Sequence, residues 1–432
     1  MIISLKKSTI IFFSLSVLLI IFSTVLRLIG VADADREIMG IMWTGWLALG
    51  VLVLVNDSKE MCFKYTFLTL LIGEILLLLN YKFNIFASNS SDSLNFIEIS
   101  REYYNGDFSD YRTRFPYVIN FSYHIFGLNE YIVYQLGLVM TSLSVLFSAK
   151  IMDTLEIVEW IQNGALLLMT ISPFKFIYGG SILREPIYIL FVTISFYYYV
   201  LWKKNNRRSY FGLAIIMTLP AVYLHSGLAM VTVSYIIMEL FSKEIKPFNR
   251  LFIIVLLSFA LFAVRSSRAG YFIFNGISGL INYYETGYSQ YADSTIGSMY
   301  LSWMHPINIL QLILYTPLRM IYFWFSPLPD QWNSFSRIAT FLFDSSIYII
   351  SFISIIEILK YKINLSELQR RIFNTLIVVL LLYSVVFSWG TIASGTAVRH
   401  RNCMVNLCII TIALAKMSRI QQPEIDLSEL SI

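Results

Sequence analysis

The sequence predicts an all-α, polytopic membrane protein with about twelve transmembrane helices. Three observations predict it. The chain has 432 residues, 57% hydrophobic and 14% charged, against about 25% charged in a soluble domain. Its mean hydropathy is +0.67, and apolar runs near the roughly 20 residues needed to cross a bilayer recur along it. Those runs are continuous rather than alternating, which excludes a β-barrel.

Spans are expected at about 8–28, 37–55, 64–83, 131–150, 161–179, 185–202, 209–224, 227–242, 250–265, 338–359, 372–390 and 400–417. The first follows Lys6 and Lys7 like a signal peptide. No small-residue cleavage site follows, so it reads as an uncleaved span. Basic residues punctuate alternate connections: Lys6/Lys7, Lys59/Lys64, Lys203 to Arg208, Lys243 to Arg250 and Lys360 to Arg371. The positive-inside rule makes these cytoplasmic, with both termini inside. The net charge of +5 is absorbed in this way and does not indicate nucleic acid. Residues 308–326 are apolar and long enough to cross, yet a single crossing would put the basic 360–371 loop outside. They are expected to be re-entrant or interfacial, or paired with a second short crossing near 270–282. Pro306, Pro317, Pro327 and Pro329 favour broken geometry there.

Nearly the whole chain is used in spanning, so residues 1–432 form a single membrane domain with external loops at about 84–130, 266–337 and 391–399. Interior carboxylates are sparse: Glu74, Glu239 and Glu357. Cys62, Cys403 and Cys408 make no disulfide framework, with Cys62 expected on the cytoplasmic side. No metal-ligand cluster, nucleotide loop or repeat appears, and no metal or cofactor is expected.

Chemically capable residues gather on the external side. In the first external loop, Asp92 sits near the start of a helix, as a cap or as a poised carboxylate. Leu94, Ile97 and Arg101 share a face of that helix, and Asn105-Gly106 ends it. In an extended segment Arg112 and Arg114 point to one side and suit a phosphate. Arg184-Glu185-Pro186 opens a span, with proline in a first-turn position; an arginine there also suits snorkelling. His225 lies with Ser226 in a tight turn between spans, as a reactive or a structural histidine. Arg265 and Arg268 lie three apart at a span exit. Tyr284 and Tyr288, with Asp293, suit a sugar ring and its hydroxyls, or an interfacial aromatic belt. Arg399-His400-Arg401 opens the last span against the usual charge bias, which a bound anion would explain. On a helix Arg399 and Arg401 lie about 200° apart, so one phosphate would not engage both.

Two groups of these residues carry resemblances. Asp92, the helix after it, Tyr104-Asn105-Gly106-Asp107-Phe108 and Arg114-Phe115-Pro116-Tyr117 resemble the first external loop of GT-C glycosyltransferases, polytopic enzymes that use polyprenyl-phosphate-linked sugars. Ser172-Pro173-Phe174 followed by Tyr178 to Pro186 resembles a later helix junction of the same enzymes. The pattern departs at Ser93, where an Asp-Glu pair would be completed, and in having no C-terminal soluble domain. The His225-Ser226-Gly227 string and the Arg399-His400-Arg401 entry are similar to Wzy-like O-antigen, capsule and exopolysaccharide polymerases.

The resemblance implies a GT-C-like helical arrangement in a bacterial inner membrane. It implies polymerisation of polyprenyl-pyrophosphate-linked oligosaccharide repeat units on the periplasmic or extracellular face. Asp92 or His225 would then be the general base. Arg112, Arg114, Arg184, Arg268, Arg399 and Arg401 would hold the lipid pyrophosphate. Partners would be the lipid-linked oligosaccharide, membrane lipid and a chain-length regulator protein. A GT-C transferase adding one sugar from a polyprenyl-phosphate donor is the alternative enzyme. A transporter or flippase of a lipid-linked or anionic solute is the non-enzymatic one.

Overall fold

A computed structural model of the chain describes residues 60–83, 91–108, 114–172, 182–241, 299–301, 303–304, 306–361 and 365–420, with isolated residues before position 60. Among the described residues the fold is helical, and the only pairing of β type is the isolated bridge between Met299 and Ala393. Five helices are long and apolar enough to cross a membrane: Ile132–Thr154, Glu185–Asn205, Phe335–Lys360, Glu367–Gly390 and Ser394–Ile420. Shorter apolar helices run over Arg208–Leu224, Ser226–Leu240 and Ile309–Phe325. The chain is a helical protein with several membrane-capable spans. The expected span 250–265 and, apart from isolated residues, 8–28 and 37–55 lie outside the described residues, as do residues 173–179 of the span 161–179.

In chain order the helices are α1 (Glu60–Phe83), α2 (Ser91–Tyr104), α3 (Phe115–Phe126), α4 (Glu130–Thr154), α5 (Glu159–Ile171), α6 (Glu185–Asn205) and α7 (Arg208–Leu224). There follow α8 (Ala229–Leu240), α9 (Ile309–Phe325), α10 (Phe335–Thr340), α11 (Ser346–Tyr361), α12 (Glu367–Gly390), α13 (Ser394–Arg401) and α14 (Val405–Ile420). A π-helical turn at Phe341–Ser345 joins α10 to α11. The chain divides into two compact units. The first comprises Met1–Lys150, Leu166–Ser195 and Ile216–Ser226; the second comprises Ile151–Ala165, Phe196–Ile215 and Gly227–Ile432.

In the first unit, α2 and α3 pack against each other. Phe96 meets Phe115 edge-on at 5.3 Å, Ser100 donates to the Pro116 carbonyl at 3.2 Å, and Tyr103 lies 4.6 Å from Tyr117. The buried stripe of α2 is Ser93, Phe96, Ile97, Ser100 and Tyr103, while Leu94 is exposed. Burial follows the side that meets α3, and the exposed Arg101 pairs with Glu130. Gly106 ends the helix at φ +92°, a conformation that side-chain-bearing residues avoid. Proline in the first turn starts α3, and Gly127 at φ +81° stops it.

In the second unit, several helix ends meet. Lys204 reaches the Thr154 carbonyl at 3.3 Å and Glu156 at 3.2 Å, and Gln369 donates to the Leu155 carbonyl at 2.8 Å. Lys203 pairs with Glu239 at 2.5 Å, and Arg419 pairs with Glu357. The ends of α4, α6, α8, α11 and α14 thus lie with the start of α12. That start is set by a reciprocal cap: Gln369 N–H donates to Ser366 Oγ, and Ser366 N–H donates to Gln369 Oε1.

Helix α9 runs antiparallel to α12 but along its last part alone. Trp389 donates to Thr316, Arg319 to the Ser388 carbonyl, and Trp324 to Ser384. It therefore stops opposite Ser384 and never approaches the Glu367 end. The chain reverses at Ser326, whose carbonyl accepts from Ser345 at 3.1 Å, and α10 begins after Ser334, whose hydroxyl accepts from Arg337 N–H.

Candidate functional site

In the first unit, three of the expected residues come to one place from separate stretches of chain. Arg184 stands immediately before α6, its carbonyl accepting from Ile187 at 3.1 Å and Tyr188 at 3.3 Å. Its guanidinium lies 5.7 Å from the Phe96 ring. One turn further on α6, Tyr188 meets the His225 ring edge-on at 6.0 Å. His225 follows the last residue of α7, its N–H donating to the Ala221 carbonyl. Arg114 Nη1 donates to the Tyr223 carbonyl at 3.0 Å, and its guanidinium lies 4.8 Å from the Tyr223 ring. The carbonyls of a last helical turn lack intrahelical donors, so this arginine caps α7. Phe115, next to Arg114, closes the circuit on Phe96. Asp92 lies in the first turn of α2, exposed, one turn before Phe96. It falls inside the helix rather than at the cap.

The electrostatics of this place favour an anion. Arg184 puts a positive charge at a helix N-terminus, where the macrodipole already disfavours it. A bound anion would satisfy both the guanidinium and the helix end. Arg184 Nε is buried and has no hydrogen-bond partner in the structure. The Phe96 ring lies beside the Arg184 guanidinium and the Tyr223 ring beside that of Arg114, contacts that attract a cation. Arg184 and the basic pair Lys203/Lys204 stand at opposite ends of α6, a helix of 21 residues, about 30 Å apart at 1.5 Å per residue.

The second unit contains the other expected arginines among the described residues. Arg399 is half-buried and engaged. Arg401 is fully buried, and its five N–H groups are all used inside the protein. Nε donates to Asp344 at 2.9 Å, Nη1 to the carbonyls of Trp324 at 2.9 Å and Ser326 at 2.5 Å, and Nη2 to Ser345 at 3.0 Å and to Asp344. No N–H is left for a lipid pyrophosphate, so Arg401 belongs to the scaffold rather than to an anion site. Its partner corrects the expectation of sparse interior carboxylates, because Asp344 lies inside the expected 338–359 span. Arg319 is also fully buried, donating to the Ser388 carbonyl at 3.1 Å and the Thr391 carbonyl at 3.0 Å, with its guanidinium 4.6 Å from the Trp389 ring. Sequence reasoning passed over both residues. The available signal was a single ionisable group in an apolar stretch, which is costly in a membrane and so calls for a partner.

Arg112, Arg268, Tyr284, Tyr288 and Asp293 lie outside the described residues. Among the described residues no group of three His, Cys, Asp or Glu side chains is placed to hold a metal ion. Fold and site together define a helical protein with several membrane-capable spans and an arginine- and aromatic-lined place at one end of α6 and α7. No family model, curated protein or solved structure matches the chain.

Proposed function

We propose that the chain is a multi-pass glycosyltransferase of a bacterial inner membrane, joining polyprenyl-pyrophosphate-linked oligosaccharide units on the external face. The observation that carries the proposal is the convergence of Arg114, Arg184 and His225 on one aromatic-lined place, one helical turn from Asp92. In this reading the meeting of basic ends in the second unit is the cytoplasmic side, and about twelve helices cross. Helix α9 is then re-entrant, entering from the external side and turning back at Ser326.

The chemistry follows from what such residues do. An acceptor hydroxyl attacks the anomeric carbon of the donor sugar, and the bond from that carbon to the pyrophosphate oxygen breaks. The leaving polyprenyl pyrophosphate carries away the electron pair, and the Arg184 guanidinium neutralises the charge that develops on it. Asp92 or His225 accepts the proton of the attacking hydroxyl. The donor is already activated, so no nucleotide site is required.

Deletion of the gene tests the reading. The expected result is surface glycan present as single repeat units on its carrier, since synthesis and export of the unit continue while joining stops. Full-length polymer lacking one branch sugar would replace the reading with a single-sugar transferase. Normal glycan with a lost solute uptake would replace it with a transporter.

A further inference from the structure

Helix α3 carries a second polar feature on the stripe that faces α2. Its stripe Pro116, Asn120 and Tyr123 faces α2, because Pro116 accepts from Ser100 and the Tyr123 ring meets Tyr104 edge-on at 6.3 Å. Asn120 lies between these two contacts. The Tyr123 side chain is 1% exposed and Asn120 8% exposed, yet the Tyr123 hydroxyl and Asn120 Oδ1 are buried with no hydrogen-bond partner in the structure. A buried polar group left without a partner destabilises a fold. Two such atoms one turn apart on one face could share one polar partner. Burial, reinforced by the Glu130 carboxylate, holds the Tyr123 phenol above its ordinary range, so it stays protonated and able both to donate and to accept. At the rim, the half-exposed Tyr104 and the exposed His124 have their ring centres 5.0 Å apart.

We propose that the seam between α2 and α3 is a saccharide subsite. A sugar ring lies over Tyr104 and His124, and one of its hydroxyls reaches the Tyr123 hydroxyl and the Asn120 amide. Apolar C–H faces stacked on aromatic rings, with a hydroxyl that both donates and accepts, match what this seam presents. The subsite rests on the glycosyltransferase reading and names the sugar-binding part of that same first external loop, distinct from the anion place at Arg184.

The test uses the purified full chain in detergent, with Tyr123→Phe as the main variant and Asn120→Ser as a second. Two probes are titrated: the repeat-unit oligosaccharide freed from its lipid, and inorganic pyrophosphate. Calorimetric affinity and the thermal unfolding midpoint are read together. The expected result is that Tyr123→Phe weakens oligosaccharide binding roughly three- to tenfold, the loss of about one hydrogen bond. Pyrophosphate affinity and the unfolding midpoint should not fall. Unchanged oligosaccharide affinity overturns the subsite, whether the midpoint rises, as for an idle hydroxyl, or falls, as for a buried water. Wild-type protein that binds no oligosaccharide also overturns it. Wild-type protein that binds the oligosaccharide but joins no lipid-linked units sinks the glycosyltransferase reading and leaves the subsite standing.

Discussion

The Arg401–Asp344 pair offers a prediction whose sign depends on the geometry. Both side chains are fully buried, and Arg401 also satisfies the main-chain carbonyls of Trp324 and Ser326. Arg401→Met removes the cation and leaves the Asp344 carboxylate buried without its charge partner, a loss of roughly 3–5 kcal/mol. It also takes its donor from the Trp324 carbonyl, at about 1–3 kcal/mol, while the Ser326 carbonyl keeps Ser345. Asp344→Leu alone leaves the guanidinium uncompensated and costs roughly 3–5 kcal/mol. In the Arg401→Met background the same Asp344→Leu change removes a stranded charge, so it should restore roughly 3–5 kcal/mol. The double variant should therefore be more stable than Arg401→Met alone. Unfolding of the four proteins in mixed dodecylmaltoside–SDS micelles measures this cycle. If Asp344→Leu destabilises the Arg401→Met protein as much as it destabilises the wild type, the buried pair is not what holds α13 to the Ser326 reversal. The double variant should also still synthesise polymer, because Arg401 has no N–H to offer a pyrophosphate; a folded but inactive double variant would return Arg401 to the anion site.

Other expectations follow from the same geometry. Single cysteines at Gly106, Ser226 and Gly395, in a cysteine-free background, should react with an impermeant thiol reagent in intact cells, and those at Asn205 and Ser366 only after permeabilisation; external labelling at Ser366 would make 308–326 a true span. Arg184→Lys should lower polymerisation by at least about tenfold, because an ammonium cannot reproduce the guanidinium fork, worth roughly 1.5–3 kcal/mol per charged hydrogen bond; near-normal turnover would remove Arg184 from the anion place. Asp92→Asn should preserve donor binding and reduce turnover by at least about 100-fold, with His225→Gln as the matched comparison. Should only the His225 change abolish turnover, the proton acceptor is His225.

Much of the architecture was legible because its causes are local. Hydropathy marks α4, α6, α11, α12 and α14, and the basic connections anticipate which ends meet around Glu156, Lys204 and Gln369. The charge rule alone argued against a single crossing by 308–326; in the structure Trp324, near the end of α9, donates to Ser384. Arg184 and His225 were readable as polar interruptions at span ends and Arg114 as a loop arginine, but their convergence depends on contacts across long stretches of chain. The scaffold role of Arg401 was hidden for the same reason. Its carboxylate partner is 57 residues away, and hydropathy averages a lone Asp344 into an apolar window. Tyr123 and Asn120 gave no signal, because a tyrosine and an asparagine in an amphipathic helix look alike whether or not their polar atoms find partners.

The most direct test of the central claim is reconstitution. Purified protein in liposomes is given one substrate, the polyprenyl-pyrophosphate-linked repeat unit extracted from the deletion strain, with no nucleotide sugar. The account predicts a ladder of products differing by whole repeat units, with one polyprenyl pyrophosphate released per linkage and the ladder lost in Arg184→Lys. The contradicting result is an unchanged substrate under conditions where the same protein transfers a single sugar from a polyprenyl monophosphate or carries the lipid-linked unit across the bilayer.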